Sequence, residues 1–287
     1  MRPGFGTFVP MTGSSDKVSG SALTGVSETA LLTLQVRAHE ARRPDGLIDD
    51  PVAVQLVDSI DFDFAKFGYT RRQDMALRSL LFDRMTGEYL RDHPKATVVA
   101  LAEGLQTSFY RLDAAGLGHE FRWLSVDLEP MIELRNKLLP KPDRVTQCAQ
   151  SALDFNWMDH VDAGDGVFIT AEGLLMYLQP EEAMSLIRAC AQHFPGGQML
   201  FDLPPAFFAF LTRKGMPTSM RYRVPPMPFS LSPAELADLA NTVPGVRTVR
   251  DLPMPSGRGR IFNALLQAQH LPLFAPVRPV VGLLEFG

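Results

Sequence analysis

The stretch Val98–Asp113, VVALAEGLQTSFYRLD, indicates a strand followed by a helix, because an apolar run ends there at a glycine and a helix-like segment follows. Apolar residues in unbroken succession are typical of a strand that is buried on both faces of a parallel sheet. The turn after such a strand lies at the ligand-binding edge of an open α/β sheet. Glycine lacks a Cβ and so lets a ligand approach the backbone closely. Since Gly104 is the one glycine of this turn, it is the one place in the turn where such an approach is expected.

The same kind of run recurs along the chain and alternates with helical segments. Pro130 and Pro180 open two of these helices, and Ser232 begins a capping box at a third. This alternation predicts an α/β fold with a Rossmann-like, doubly wound and mostly parallel sheet of seven strands. The predicted strands are Ala96–Ala102, Phe121–Val126, Val145–Ala149, Gly166–Thr170, Gln198–Phe201, Val246–Leu252 and Ile261–Ala268.

Composition narrows the class of protein. The 287 residues carry a formal net charge of -4 and no basic run, so no nucleic-acid partner is expected. No segment reaches the ~18 apolar residues of a membrane span, and the first residues lack a signal-peptide core. The chain is therefore expected to be cytoplasmic, with no membrane partner. The six histidines and two cysteines show no metal-ligand spacing, so no metal is predicted.

Two acids at strand ends favour one cofactor over another. Asp127 follows Gly104 at about the spacing of an acid that binds ribose hydroxyls. A dinucleotide would require more glycines in the first turn, and Glu103 would repel its phosphates. S-adenosylmethionine has a ribose, no phosphate, and two positive charges that nearby acids favour. The residues therefore predict S-adenosylmethionine, and a dinucleotide-dependent reductase is the disfavoured alternative.

Several long motifs, in order, resemble the leucine carboxyl methyltransferase family, in its bacterial branch with the polyketide O-methyltransferases of tetracenomycin type. The resemblance runs from Ser27 to about Gln267 and implies the S-adenosylmethionine-dependent methyltransferase fold. The motifs that carry it are RRPDGLIDDPVA, VVALAEGLQTSFYRLD, SVDLEPMIELRNKLLP, TAEGLLMYLQPEEA, FDLPPAFF and PPMPFS.

The resemblance also implies the cofactor-binding residues. Asp127 matches the acid that binds ribose, Ser151 and Ala152 match the pair beside adenine, and Glu172 matches the acid near the methionine end. Arg78 matches the arginine that binds the cofactor carboxylate, with Arg37 as a looser match. The first turn, with Glu103, Gly104 and Leu105, completes the set.

This turn departs from the pattern G-x-G-L-D-T-R that is usual in the family. A glycine is replaced at Ala102 or Glu103, the aspartate is replaced by Gln106, and the arginine by Ser108. Together with Ser151, these changes are the reason to keep an alternative open, a non-catalytic S-adenosylmethionine-binding protein of the same fold.

The predicted organisation is a leader and a single domain. Residues 1–25 are expected to be flexible, and 26–287 to form the methyltransferase domain. Its parts are a helical arm (26–93), a cofactor-binding half (94–202), a lid insertion (203–231), a closing helix with strands (232–268) and a C-terminal tail (269–287).

The predicted reaction is O-methylation of a carboxylate or acidic hydroxyl on a small hydrophobic, polyketide-like acceptor. No catalytic base is identified, so the prediction is methyl transfer by proximity alone. The lid is expected to supply an apolar wall for the acceptor. The alternative is that its side chains only pack the lid against the sheet. Four cations of the lid could also attract an anionic acceptor. The wall residues are Phe207, Phe208, Phe210, Met220, Tyr222, Met227 and Phe229, and the cations are Arg213, Lys214, Arg221 and Arg223.

Overall fold

The computed structural model describes residues 17–70, 72–269 and 271–287. Most of the predicted leader, residues 1–16, lies outside the described residues. The rest of it belongs to the folded domain, which corrects the prediction for 17–25. Val18–Ser19 pairs in parallel with Ile60–Asp61, and Leu23 is buried in the apolar cluster of the arm. Burial of Leu23 is what holds this segment.

Within the described part of the chain, seven strands form one sheet, as predicted. In chain order they are β1 (Thr97–Leu101), β2 (Arg122–Asp127), β3 (Val145–Ala149), β4 (Val167–Ala171), β5 (Gln198–Leu203), β6 (Val246–Asp251) and β7 (Val280–Phe286). Their order across the sheet is β3-β2-β1-β4-β5-β7-β6. The first five strands are parallel, and β7 is antiparallel to both of its neighbours. The carboxyl ends of β1 to β5 therefore meet at one edge.

The prediction for the last strand is wrong. Ile261–Ala268 lies in a helix, and the last strand is β7, within the segment predicted as a tail. The apolar pairs Ile261/Leu265 and Phe262/Leu266 are each four residues apart, which is the period of a helix. The strand β7, with the sequence VVGLLEF, lies between two neighbouring strands and is buried almost throughout. A strand that is covered on both faces requires a nearly continuous apolar sequence.

Helices cover both faces of the sheet and the edge above the strand ends. They are α1 (Thr29–Ala41), α2 (Pro51–Ser59), α3 (Asp74–Asp92), α4 (Ser108–Ala114), α5 (Glu129–Leu138), α6 (Pro180–His193), α7 (Ala206–Arg213), α8 (Pro233–Thr242) and α9 (Arg260–Ala268). Short 3-10 turns lie at Phe64–Phe67, Phe155–His160, Leu175–Tyr177 and Pro272–Val277. The predicted capping box is confirmed, since Ser232 and Glu235 form it at the start of α8. Asp50 caps α2 by accepting from Ala53 N at 3.0 Å.

Three apolar clusters position the site. Phe82 of α3 and Phe109 of α4 pack with Trp123 on one face of the sheet. Helices α6 and α8 pack on the other face, against residues such as Ile169. The arm forms a third cluster, in which Leu34 of α1 meets Leu105 of the turn after β1. This last contact holds the arm directly over the carboxyl ends of the strands.

Candidate functional site

The single glycine of the first turn is required by the arm as well as by the backbone. Gly104 has φ of +57°, and a Cβ placed on it would lie 3.0 Å from the Cβ of Ala30 in α1. A side chain here would therefore combine backbone strain with a steric conflict. The glycine lets α1 approach the turn, which gives it a structural role besides any contact with a ligand.

The position of the missing family glycine is Ala102. Its φ of +47° lies in the left-handed region, which glycine adopts most readily. Its backbone N–H donates to Val126 O at 2.8 Å, so the conformation is fixed by the next strand. The sequence left open whether Ala102 or Glu103 replaces the family glycine, and the positive φ of Ala102 favours Ala102.

Two fully buried arginines hold the carbonyl groups of the turn. Arg135 Nη1 donates to Gly104 O at 2.7 Å and to Gln106 O at 3.1 Å. Arg37 Nη2 donates to Leu105 O at 2.6 Å. Each cation has a carboxylate partner, because Arg135 Nη2 lies 2.9 Å from Glu103 Oε2 and Arg37 Nε lies 3.4 Å from Asp50 Oδ2. These contacts brace the carbonyl groups of the turn without any contribution from a ligand.

Glu103 differs from the prediction in the direction of its side chain. The carboxylate is 2% exposed and is directed at Arg135, so what Glu103 offers a ligand in the cavity is mainly its backbone. Burial raises the pKa of this carboxyl group, and Arg135 opposes the shift. Arg135 could not be predicted from the sequence, because a buried arginine within α5 has the same local pattern as a solvated one until the helix is packed.

Asp127 joins the first two strand ends. Its Oδ2 accepts from Gly104 N at 2.7 Å, and its Oδ1 accepts from Leu128 N at 2.7 Å. Burial raises the pKa of this carboxyl group. Each carboxylate oxygen has a second lone pair, and the residue lines the cavity described below. The carboxylate is therefore preoriented by the backbone and can still accept from hydroxyl groups.

Arg78 bridges two carboxylates at the ends of β4 and β5. Its Nε donates to Glu172 Oε1 at 3.0 Å, and its Nη1 donates to Asp202 Oδ2 at 2.9 Å. Asp202 also accepts from Gly173 N at 2.7 Å. Within the described residues, Nη2 of Arg78 has no hydrogen-bond partner, so one arm of the guanidinium is free to bind an anion. Asp202 was missed, although an acid that ends the apolar run of β5 was a usable signal.

The altered residues of the first turn are all partnered. Gln106 Nε2 donates to Glu172 Oε2 at 2.8 Å and to Ser79 Oγ at 3.0 Å. An aspartate at this position would set a second carboxylate against Glu172. Ser108 Oγ donates to Asp83 Oδ1 at 2.7 Å, while Arg111 neutralises Asp83 through Nε at 2.6 Å. The departures from the family pattern therefore leave these polar groups paired.

Ser151 and Ala152 follow β3 and line the same cavity. Ser151 Oγ accepts from Leu153 N at 3.2 Å and still has its own proton to donate. Ala152 is buried, and its carbonyl oxygen accepts from Trp157 Nε1 at 3.1 Å. Leu128, half exposed beside Asp127, was missed as an apolar surface at this end.

One cavity of about 660 Å³ connects these strand ends to the lid. Its volume lies within the ~300–1,000 Å³ that is usual for ligand sites. Its polar end holds every residue predicted to bind the cofactor, namely Arg78, Glu103, Gly104, Leu105, Asp127, Ser151, Ala152 and Glu172. Its other end is apolar and is closed by the lid and by α9, through Phe208, Met216, Tyr222, Val224, Met227, Phe262 and Leu266.

The predicted lid wall is only partly right. Phe208, Tyr222 and Met227 line the cavity, and Phe229 is buried in the core. The other three, Phe207, Phe210 and Met220, are exposed. Phe207 and Phe210 are three residues apart and share the outer side of α7, whereas Phe208 lies on the inner side.

The four predicted lid cations are not among the described residues that line the cavity. Arg221 is paired with Asp63 at 2.5 Å, and Arg223 Nη1 donates to Gly215 O at 2.7 Å. Arg213 reaches Pro228 O, and Lys214 lies over the Phe210 ring. Long cationic side chains keep their charge at the surface, so the expectation that they attract an acceptor into this cavity is not supported.

Comparison with known proteins decides the family. The family model described as Leucine carboxyl methyltransferase matches residues 30–191, which is more than half of the chain. The chain belongs to this family. It is 35% identical over 183 residues to the tetracenomycin polyketide synthesis O-methyltransferase TcmP of Streptomyces glaucescens, over 63% of this chain and 66% of TcmP. The match thus spans about two thirds of that relative.

Other relatives agree. The S-adenosyl-L-methionine-dependent methyltransferase dpfgK of Gibberella zeae is 29% identical over 70% of this chain and 74% of its own length. A putative methyltransferase from Thermobifida fusca has a TM-score of 0.55 at 14% identity, over 88% of this chain and 94% of the other. The plantazolicin methyltransferase BamL, solved with SAH, has a TM-score of 0.50 at 14% identity, over 91% and 97%.

The family and its fold are those of S-adenosylmethionine-dependent methyltransferases, and S-adenosylmethionine is the cofactor, as predicted. The two solved structures share the fold with this chain, and at 14% identity they establish nothing finer. Among the residues described, no helix is long and apolar enough to cross a membrane.

Proposed function

We propose that this protein transfers a methyl group from S-adenosylmethionine to a carboxylate or acidic hydroxyl of a small hydrophobic acceptor. The observation that carries the proposal is the single cavity that joins a polar end, built on five strand ends, to an apolar end under the lid. The polar end suits the cofactor and the apolar end suits an acceptor, so the two ligands would meet within one continuous cavity.

The polar end offers a complementary group for each part of the cofactor. Asp127 accepts from the ribose hydroxyls, and Leu128 with Ala152 provides apolar contact for adenine. Arg78 uses its free Nη2 to bind the cofactor carboxylate. Glu172 and Asp202 then lie beside the cofactor ammonium, which favours binding of a positively charged ligand there.

Little chemistry is required of the protein. When bound, S-adenosylmethionine supplies a methyl group on a sulfonium, so the acceptor oxygen forms the new C–O bond while the C–S bond breaks and its electron pair stays on sulfur. A carboxylate is ionised at neutral pH and needs no base. The side chains of the lid would hold the acceptor oxygen beside the methyl group and exclude water.

One consideration supports methylation on oxygen, and a second supports an apolar acceptor. The relative TcmP is named as a polyketide O-methyltransferase, which fits a flat, largely apolar acceptor. The cavity wall contains Met75, Met176, Met216, Met227 and Met254, and methionine side chains adapt to the shape of an apolar ligand.

Two adjacent phenylalanines provide a matched test of the acceptor site. Phe208 lines the cavity, whereas Phe207 is 58% exposed. We expect Phe208→Ala to lower kcat/KM for the acceptor about 10-fold or more, because losing a buried aromatic contact costs over ~1.4 kcal/mol. Phe207→Ala should change it little. The measurement is steady-state kinetics with labelled cofactor, after phenols and carboxylic acids have been screened as acceptors.

The acceptor screen, combined with a calorimetric titration of S-adenosylhomocysteine, separates the proposed enzyme from a non-catalytic binding protein. A non-catalytic binding protein would take up S-adenosylhomocysteine, the demethylated cofactor, yet transfer no label to any acceptor in the screen. Equal loss of kcat/KM in both phenylalanine variants would instead place the acceptor outside the space under the lid.

A further inference from the structure

We propose that Arg72 binds an anionic group of the acceptor, so that the cavity selects aromatic acids over their neutral analogues. This inference rests on the proposed function and specifies the charge of its acceptor. It replaces the four lid cations, whose charges lie outside the cavity, with a cation that lines it.

Among the described residues that line the cavity, three carry a positive charge, and they are Arg37, Arg72 and Arg78. Arg37 is 1% exposed and is committed to Leu105 O and Asp50. Arg78 is held by Glu172 and Asp202 at the cofactor end. By elimination, Arg72 is the cavity cation that remains for a second ligand.

The guanidinium of Arg72 has unused hydrogen-bonding capacity. Its Nη2 donates to Met75 Sδ at 3.6 Å, and a thioether is a weak acceptor. Its Nε is buried and has no hydrogen-bond partner among the residues described, although Asp74 Oδ1 lies 3.2 Å away as an ion-pair partner. The side chains of Arg72 and Asp74 both line the cavity and are 37% and 55% exposed, so water screens this pair. A planar fork in this state suits a carboxylate.

Its position matches the acceptor end. Arg72 precedes α3, whereas Arg78 is more than one helical turn of ~5.4 Å further along the chain. Gln73 fixes this segment to the loop before α9, since its Nε2 donates to Arg258 O at 3.1 Å and its Oε1 accepts from Arg258 N at 2.7 Å. Helix α9 contributes Phe262 and Leu266 to the cavity wall. A cation beside an apolar wall is the arrangement that an aromatic acid requires.

The test compares a naphthalene carboxylic acid with its primary carboxamide, each titrated calorimetrically into protein saturated with S-adenosylhomocysteine. We expect the wild type to bind the acid about 10-fold more tightly than the amide, since a charge-assisted hydrogen bond contributes more than a neutral one. Arg72→Gln should abolish this preference. Arg72→Lys should keep part of it, because the charge remains and the planar fork is lost.

Arg84→Gln is the matched control, because Arg84 lies on α3 with half of its side chain exposed and, among the residues described, forms its ion pair with the nearby Glu88. It should keep the full preference for the acid. Retention of the preference in Arg72→Gln, or equal binding of acid and amide by the wild type, would overturn the inference. If the wild type fails to bind S-adenosylhomocysteine in the first step, the proposed function itself fails.

Discussion

Replacing Arg135 with methionine is expected to lower the free energy of unfolding by about 3–5 kcal/mol, because it leaves the buried carboxylate of Glu103 without its cation. The same change removes the donors to Gly104 O and Gln106 O, so the turn after β1 loses its bracing. Affinity for S-adenosylhomocysteine should fall as well. Urea unfolding and calorimetric titration measure the two effects.

A control and a rescue distinguish this explanation from general damage to α5. Lys137 lies on the same helix with 62% of its side chain exposed, so Lys137→Met should change stability by no more than about 0.5 kcal/mol. Adding Glu103→Gln to Arg135→Met should restore part of the loss, since the unpaired charge is then gone. A double variant no more stable than Arg135→Met would contradict the ion-pair account.

The effect of Arg135→Met should also depend on pH. Burial raises the pKa of Glu103, and the positive charge of Arg135 is the largest influence that lowers it again. Without Arg135, the folded protein binds a proton at Glu103 more readily than the unfolded chain does. The loss of stability should therefore be largest at neutral pH and become smaller as the pH falls.

Arg78→Ala is expected to weaken S-adenosylhomocysteine binding about 30-fold or more, which corresponds to the ~2–5 kcal/mol cost of removing one partner from a buried charged pair. The variant removes the proposed donor to the cofactor carboxylate. It also leaves Glu172 and Asp202 without the cation that separates them. Arg78→Lys should be intermediate, because one ammonium cannot reproduce the fork.

Arg84→Ala serves as the control, since this arginine is half exposed on the same helix. Its affinity for S-adenosylhomocysteine should equal that of the wild type. If Arg78→Ala binds as tightly as Arg84→Ala, a different group holds the cofactor carboxylate. Unfolding measurements on both variants show whether any loss of affinity comes only from a loss of folded protein.

Much of the site could be predicted because parallel strands bring their carboxyl ends to one edge. Gly104, Asp127 and Glu172 each follow a strand that its apolar run reveals, so their approach to one another needs only the strand order. Arg78 could be inferred only from the family resemblance, since nothing in its own segment distinguishes it from exposed arginines such as Arg84.

What could not be predicted depends on side-chain direction and on packing between distant segments. Glu103 has the sequence position of a site acid, yet Arg135, 32 residues later, draws its carboxylate inward. Phe207 and Phe208 are adjacent residues of the same type, and only the way α7 packs places Phe208 in the cavity and Phe207 at the surface. The segment Ile261–Ala268 is compatible with an apolar strand and with an amphipathic helix, and in the structure it is a helix that places Phe262 and Leu266 against the cavity.

The most direct test of the account is a crystal structure of the protein with S-adenosylhomocysteine. We expect one ligand in the cavity at the carboxyl ends of β1 to β5. Its ribose hydroxyls should donate to Asp127, and its carboxylate should accept from Arg78 Nη2. A ligand bound elsewhere, or bound in this cavity with its carboxylate turned away from Arg78 and its ribose away from Asp127, would contradict the central claim.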